Sequence, residues 1–244
     1  MVISGWNSKY GQIAREFGYR KRNDLDSAIL LDSIIKKRFS LTRLKKMINK
    51  KTVFVVGAGP SLQSSIDTLK KHKNTVMICA DGAVTPLIQN GIRPKIIVTD
   101  LDGDLESLEK IKKTDTVFVV HAHGDNSDRL EFAGNFRNCI GTTQTGEVGK
   151  ICNFGGFTDG DRCVFLASHF GARKIILFGM DFGTRIGRYS KTKNKDKKTK
   201  RKKLEWGRTL LEWLATKSSS EFFTLSRPIG GFEKITYRKL EFNM

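Results

Sequence analysis

From Thr52 onward, short, nearly continuous apolar runs alternate with stretches whose apolar residues recur every three or four positions. The continuous runs are Thr52–Val56, Val76–Cys79, Ile96–Val98, Thr116–Val120 and Lys174–Phe178. They are rich in β-branched residues and of strand length. A run apolar on both faces is what a strand inside a parallel sheet needs, because helices cover it on either side. The periodic stretches Leu62–Lys71, Val84–Asn90, Leu105–Lys112 and Asp161–Phe170 lie between the runs and predict helices. Strands alternating with helices predict an α/β fold with a doubly wound, mostly parallel sheet. Residues 24–48 also carry helical spacing, in Leu25, Ile29, Leu30 and Ile34, then Leu41, Leu44, Met47 and Ile48. A break near Phe39 and a capping Ser40 predict two helices there. Residues 1–50 are therefore expected to form a helical N-terminal lobe, and 51–244 the α/β catalytic domain. Leu204–Thr216 predicts one more amphipathic helix, and Glu221–Ser226 and Lys234–Phe242 two closing strands.

Charge changes this picture in one respect. The chain of 244 residues has 44 Lys and Arg against 25 Asp and Glu, a net charge of +19. Most of that excess sits in residues 1–50 and in residues 188–203, and the body between is nearly neutral. A neutral α/β body with two basic pieces differs from a uniformly basic nucleic-acid binder. The basic segments also lack interleaved aromatics on which bases stack, which counts against an RNA-binding protein. Residues 188–203 hold no apolar residue beyond Tyr189, so a mobile loop is expected, either solvated or closing as a lid. Four widely spaced cysteines with no CxxC pair read as reduced, buried thiols. No apolar run approaches the ~18 residues of a membrane span, and Met1–Lys9 has no signal-peptide core, so the cytoplasm is the expected compartment.

The chemistry is concentrated where the predicted strands end, which is where open α/β sheets bind ligands. Gly57-Ala58-Gly59-Pro60-Ser61 follows the first strand. Its glycines allow a tight turn, and Pro60 and Ser61 suit a helix start facing an anion. No Gly-Lys-Ser/Thr follows, so this is not a Walker A loop, and an ordinary strand-to-helix turn is the alternative. Asp81-Gly82 follows the second strand. The third leads into Asp100-Leu101-Asp102-Gly103-Asp104, whose alternating carboxylates suit a cation between them. Hard oxygen ligands favour Mg²⁺. A calcium loop would place Glu at its twelfth position, which here is Ile111, and a purely structural turn also remains open. His121-Ala122-His123-Gly124-Asp125-Asn126 follows the fourth strand. Zinc is disfavoured there because no third soft ligand lies nearby. The Thr158-Asp159 turn introduces an apolar helix, and Asp181 follows Lys174–Phe178. Carboxylates under a cationic segment suit phosphoryl or diphosphoryl transfer from a magnesium nucleotide.

Ala80–Asp104 resembles the thiamin pyrophosphokinases, with Asp81-Gly82, then Gly91 and Pro94, then Asp100-x-Asp102 in matching order. Lys95 replaces that family's usual Asp, and its C-terminal thiamin-binding domain has no clear counterpart. A closer resemblance is to the archaeal 6-hydroxymethyl-7,8-dihydropterin pyrophosphokinases. It rests on six ordered motifs, at Val56–Leu62, Ala80–Ala83, Pro94–Asp104, His121–Asn126, Gly155–Arg162 and Gly179–Gly183. It implies a thiamin pyrophosphokinase-like catalytic fold and transfer of diphosphate from ATP to a pterin hydroxymethyl group, releasing AMP, in folate or methanopterin synthesis. The substrates would be ATP and a dihydropterin, the cofactor Mg²⁺, and a homodimer would be plausible. Asp100 and Asp102 are the first choices for the metal, with Asp81 and Asp104 in support. Gly57, Gly59, Pro60, Ser61, Gly82 and Asp181 are expected at the nucleotide. Asp125 and Asp159 would orient the metal shell or the hydroxyl, and Asp159, Asp161 or Asp181 would read the pterin edge. Sugar transfer from a nucleotide donor is the rival enzyme class.

Overall fold

Alternation along the first strand sets the architecture. Val53 and Val55 point into one apolar core, and Phe54 and Val56 into another on the opposite face. The computed structural model describes residues 2–183, 185, 187–190 and 197–242. Its eight strands are β1 (Thr52–Val56), β2 (Val76–Ala80), β3 (Ile96–Thr99), β4 (Val117–His121), β5 (Cys139–Thr142), β6 (Lys174–Phe178), β7 (Glu221–Thr224) and β8 (Glu233–Lys234). They form one sheet in the order β5-β4-β3-β2-β1-β6-β7-β8. Each neighbouring pair is parallel. The predicted doubly wound α/β class is therefore observed, and all strand C-termini lie along one edge.

Helices cover both faces. α1 (Trp6–Phe17), α3 (Leu41–Ile48), α7 (Asp159–His169) and α8 (Lys197–Ala215) bury apolar residues with Val53 and Val55. α2 (Lys21–Ile34), α4 (Leu62–Lys71), α5 (Asp81–Gln89), α6 (Leu105–Ile111) and α9 (Tyr237–Phe242) do so with Phe54 and Val56. Ser40 caps α3 by accepting the Arg43 N–H, as its position predicts. The four cysteines are free and buried. Among the described residues, no helix is long and apolar enough to cross a membrane.

Two expectations need correction. Lys234–Phe242 is not a strand. Only Glu233–Lys234 pairs with β7, and the chain then turns into α9, where Leu240 is fully buried. The basic segment is not a loop throughout, because Lys197–Lys203 form the first turns of α8, ahead of the predicted start at Leu204. Residues 191–196 of that segment lie outside the described ones. Two elements were also not foreseen, α1 and β5. α1 buries Trp6, Tyr10, Ile13 and Ala14 at spacings of four, three and one. β5 has only four residues and no long apolar run to betray it.

Candidate active site

The loop after β3 is shaped to present two carboxylates together. Leu101 is buried and held at φ +64°, a left-handed conformation uncommon for a branched side chain. Turning Leu101 inward leaves Asp100 and Asp102 on the outer side. Thr99 Oγ1 accepts the Leu101 N–H at 2.8 Å and donates to Asp81 Oδ2 at 2.6 Å. The Gly103 N–H donates to the same oxygen at 3.0 Å, and a Cβ at Gly103 would strike the Asp81 carboxylate. Asp159, the first residue of α7, arrives from across the sheet. Ligand oxygens of Asp81, Asp100, Asp102 and Asp159 all lie within 4.8 Å of one another.

Asn126 ties this loop to the end of β4. Its amide donates to the carbonyls of Asp100 at 2.7 Å and His121 at 2.8 Å, and its Oδ1 accepts the His123 N–H at 3.0 Å. Asn126→Ala would strip these partners from a fully buried position. The expected cost is about 3 kcal/mol, read as a lower denaturation midpoint with an unchanged slope.

Four acids this close cannot all ionise cheaply. Burial, with the charges of Asp100 and Asp102, raises the Asp81 pKa to about 7. Burial and then Asp100 raise Asp102 to about 6. Burial, followed by the charges of its three neighbours, pushes Asp159 well above the carboxylate range. Burial alone would raise Asp100 too, but the His123 imidazole, with Nε2 at 3.4 Å, and contacts from Asp102 hold it below the usual value. Asp81 Oδ1 is buried with no hydrogen-bond partner among the described residues. The donors are all hard oxygens, and one of them is orphaned, which fits a small divalent cation such as Mg²⁺.

Two lobes of a cleft meet at this cluster, and Asp102, Thr158, Asp159, Lys200 and Lys203 line both. The larger, of about 390 Å³, lies outside the ends of β1 and β6, where the strand order reverses. Gly57, Gly59, Pro60, Gly82, Asp104 and Asp181 line it, together with Arg185 and Arg188. The smaller, of about 240 Å³, is bounded by Tyr19, Asp24, Asp100, His121, Asp125, Gln144, Phe157 and Arg162.

The expected residues thus converge on one edge, with differing roles. Within the Gly57–Ser61 turn, the Gly57 N–H donates to Phe178 O at 2.9 Å and the Gly59 N–H to Gly179 O at 2.7 Å. The Ser61 N–H donates to Asp181 Oδ2 at 2.9 Å, and the Ser61 and Ser226 hydroxyls pair. A Cβ at Gly59 would collide with Asp181 and Gly179, and one at Gly82 with Ala58 and Tyr189. These glycines let the turns pack closely, and three backbone donors of the first turn are engaged within the protein. Asp104 stands outside the four-carboxylate cluster and accepts from the hydroxyls of Thr85 at 2.9 Å and Ser107 at 2.8 Å. Asp161 is committed to its helix cap, accepting from the Phe157 and Thr158 N–H groups and the Thr158 hydroxyl. Tyr19, Asp24 and Gln144 were missed by sequence reasoning. They sit beside α1 and after β5, the two unforeseen elements.

Residues 30–187 match the family model described as 6-hydroxymethylpterin diphosphokinase MptE-like. The chain is 40% identical to a 6-hydroxymethyl-7,8-dihydropterin pyrophosphokinase of Methanocaldococcus jannaschii, over 91% of this chain and 99% of that one. It is equally similar to proteins of the same name from Pyrococcus furiosus, over 91% and 97%, and Methanothermobacter thermautotrophicus, over 88% and 95%. Among solved structures, a MAf glycosyltransferase of Magnetospirillum magneticum aligns with TM-score 0.57 at 17% identity, over 87% of this chain and 39% of that one. A thiamine pyrophosphokinase of Bacillus subtilis aligns with TM-score 0.38 at 17% identity, over 71% and 59%. The glycosyltransferase likeness is one of fold alone.

Proposed function

Because the chain belongs to the MptE-like 6-hydroxymethylpterin diphosphokinase family, we propose that it transfers diphosphate from ATP to the hydroxymethyl group of 6-hydroxymethyl-7,8-dihydropterin and releases AMP. The observation that carries this reading is the cluster of four carboxylates at the meeting point of two lobes. A reaction joining two substrates through a polyphosphate needs a cation at that junction.

Asp81, Asp100 and Asp102 are the residues suited to hold Mg²⁺, which when bound supplies positive charge to the phosphate oxygens. The nucleotide lies in the larger lobe, at the reversal of strand order where such sheets bind nucleotides. Arg185, Arg188 and Lys200 there offer cationic side chains, and these take the anion-binding role because backbone donors of the Gly57–Ser61 turn are engaged elsewhere. The acceptor hydroxyl oxygen attacks the β-phosphorus in line. The bridge between the α- and β-phosphorus atoms breaks, and AMP leaves with the bridging oxygen. Asp159 lines both lobes and orients the hydroxyl, and in the ionised form that a cation among its neighbours would favour it would take the proton. Catalysis on this reading is positioning and charge, with no covalent intermediate.

Incubation with ATP, Mg²⁺ and 6-hydroxymethyl-7,8-dihydropterin tests it. Pterin-dependent AMP release is expected, whereas AMP with thiamin but not pterin would change the acceptor, and no AMP with any acceptor would sink the reading. Arg188→Ala is expected to raise KM for ATP about tenfold, the worth of one charged contact, and to leave KM for the acceptor unchanged.

A further inference from the structure

The smaller lobe contains a feature that phosphate transfer does not call for. His121 lines it, is only 2% exposed, and has an Nε2 with no hydrogen-bond partner among the described residues. A buried polar atom left unpaired is costly, so such an atom in a cavity wall points to something that pairs with it.

The ring's tautomer follows from its other nitrogen. Thr142 Oγ1 donates its hydrogen to the Val120 carbonyl at 3.1 Å, so towards His121 Nδ1, 3.4 Å away, it can only accept. Nδ1 therefore carries the proton, and Nε2 keeps its lone pair. Burial, assisted by the charges of Arg162 and His123, outweighs the opposing influence of Asp100 and the neighbouring Gln144 side chain and keeps the imidazole neutral. Nε2 is an acceptor waiting for a donor.

A donor shares the lobe. The Arg162 guanidinium lines the same lobe, fixed by Nη2 donating to Gln144 Oε1 at 2.8 Å and to the Phe157 carbonyl at 3.2 Å. Gln144 is oriented in turn, with Nε2 donating to the Tyr10 hydroxyl at 3.0 Å and Asp24 Oδ2 at 3.2 Å. The Gly124 N–H donates to the other oxygen of Asp24, which locks α2 to the end of β4. Flat apolar faces come from Tyr19 and Phe157, with ring centroids 6.3 Å apart and Lys203 Nζ within 6 Å of both.

We propose that the smaller lobe is the pterin pocket and that His121 Nε2 accepts an N–H of the pterin's aminopyrimidinone edge. A lactam presents an N–H beside a C=O, and His121 with Arg162 offers an acceptor and a donor to match. The lobe is also the smaller of the two, as a bicyclic acceptor is smaller than a nucleoside triphosphate. Asp24 and Gln144 are positioning residues, and the pterin-reading groups are His121 and Arg162. This assignment rests on the proposed reaction and adds where and how its acceptor is held.

Binding without turnover tests it. The fluorescence of 6-hydroxymethyl-7,8-dihydropterin is titrated with protein, without nucleotide or Mg²⁺, and a fluorescent ATP analogue is titrated separately. His121→Phe keeps a ring but removes the acceptor, and is expected to weaken pterin binding at least ~10-fold while leaving the ATP analogue's affinity unchanged. His121→Gln, which restores an acceptor, should lie between. Tyr19→Ala, at a partly exposed position, should weaken pterin alone by about tenfold through lost stacking, and it carries the test if His121→Phe does not fold. Wild-type pterin affinity in folded His121→Phe, or in Tyr19→Ala where that variant stands in, overturns the assignment and leaves the reaction standing. No pterin binding by the wild type overturns both.

Discussion

Asp102→Ala is expected to lower kcat at least ~100-fold while leaving the fold intact, because electrostatic stabilisation at the transferring group is usually the largest catalytic contribution. Asp102 is exposed to the cleft, lines both lobes and lies in the four-carboxylate cluster. Its removal costs no core packing. It also takes away the charge that helps raise the pKa of Asp81 and Asp159. The variant should therefore melt no lower than the wild type in the absence of metal, and the rise in melting temperature on adding Mg²⁺ should shrink. A fall in turnover with an unchanged response to Mg²⁺ would move Asp102 from the metal to substrate positioning. Full turnover would remove it from the site.

The second large effect is on stability against pH. Asp81 is 3% exposed, and its pKa rises from the ordinary 3.8 to about 7 on folding without a cation. A carboxyl raised in this way favours the folded state fully below its unfolded pKa, and that contribution is lost as pH climbs through the folded value. Metal-free protein should thus lose stability between about pH 4 and pH 7, by an amount on the order of 4 kcal/mol from Asp81. Mg²⁺ should restore it above pH 7, where the acids are ionised and the cation binds the folded state. Asp81→Asn should flatten the metal-free profile, since its amide oxygen can still accept from Thr99 and Gly103. Melting curves from pH 4 to 8, with and without Mg²⁺, decide this. A metal-free profile that rises with pH would contradict the crowding of these carboxylates.

The sheet was legible because its strands announce themselves. Val53–Val56 and Ile175–Phe178 are apolar on both faces, and so short a run rich in β-branched residues suits a doubly covered strand. The carboxylates were legible for a related reason, since parallel strands bring all their C-terminal ends to one edge and Asp81, Asp100 and Asp159 each follow a strand or open a helix there. The roles within the turns were less so. Spacing cannot say that the Gly59 N–H is engaged by Gly179, 120 residues on, or that Asp104 accepts from Thr85, 19 residues back, because both partners are distant in sequence. The acceptor lobe was legible only in part. His121 and Arg162 lie in legible motifs, but Tyr19 and Gln144 carry no local signature, and the network that orients them forms only when α1 packs beside β5. The error at Lys234–Phe242 has a simple cause. Tyr237 and Leu240 are three apart, a helical spacing, in a segment too short for its period to outweigh its β-prone residues.

The order of strands has a consequence for how the molecule comes to be made. β1 to β5 arise from residues 52–142 and pair in sequence from one side of β1, while the other side of β1 waits for β6, which begins at Lys174. As the chain leaves the ribosome, half the sheet can assemble early through pairings close in sequence, and the seam between β1 and β6 closes late. The larger lobe lies across that seam, so the carboxylates of β2 and β3 are in place before the nucleotide has a pocket to enter.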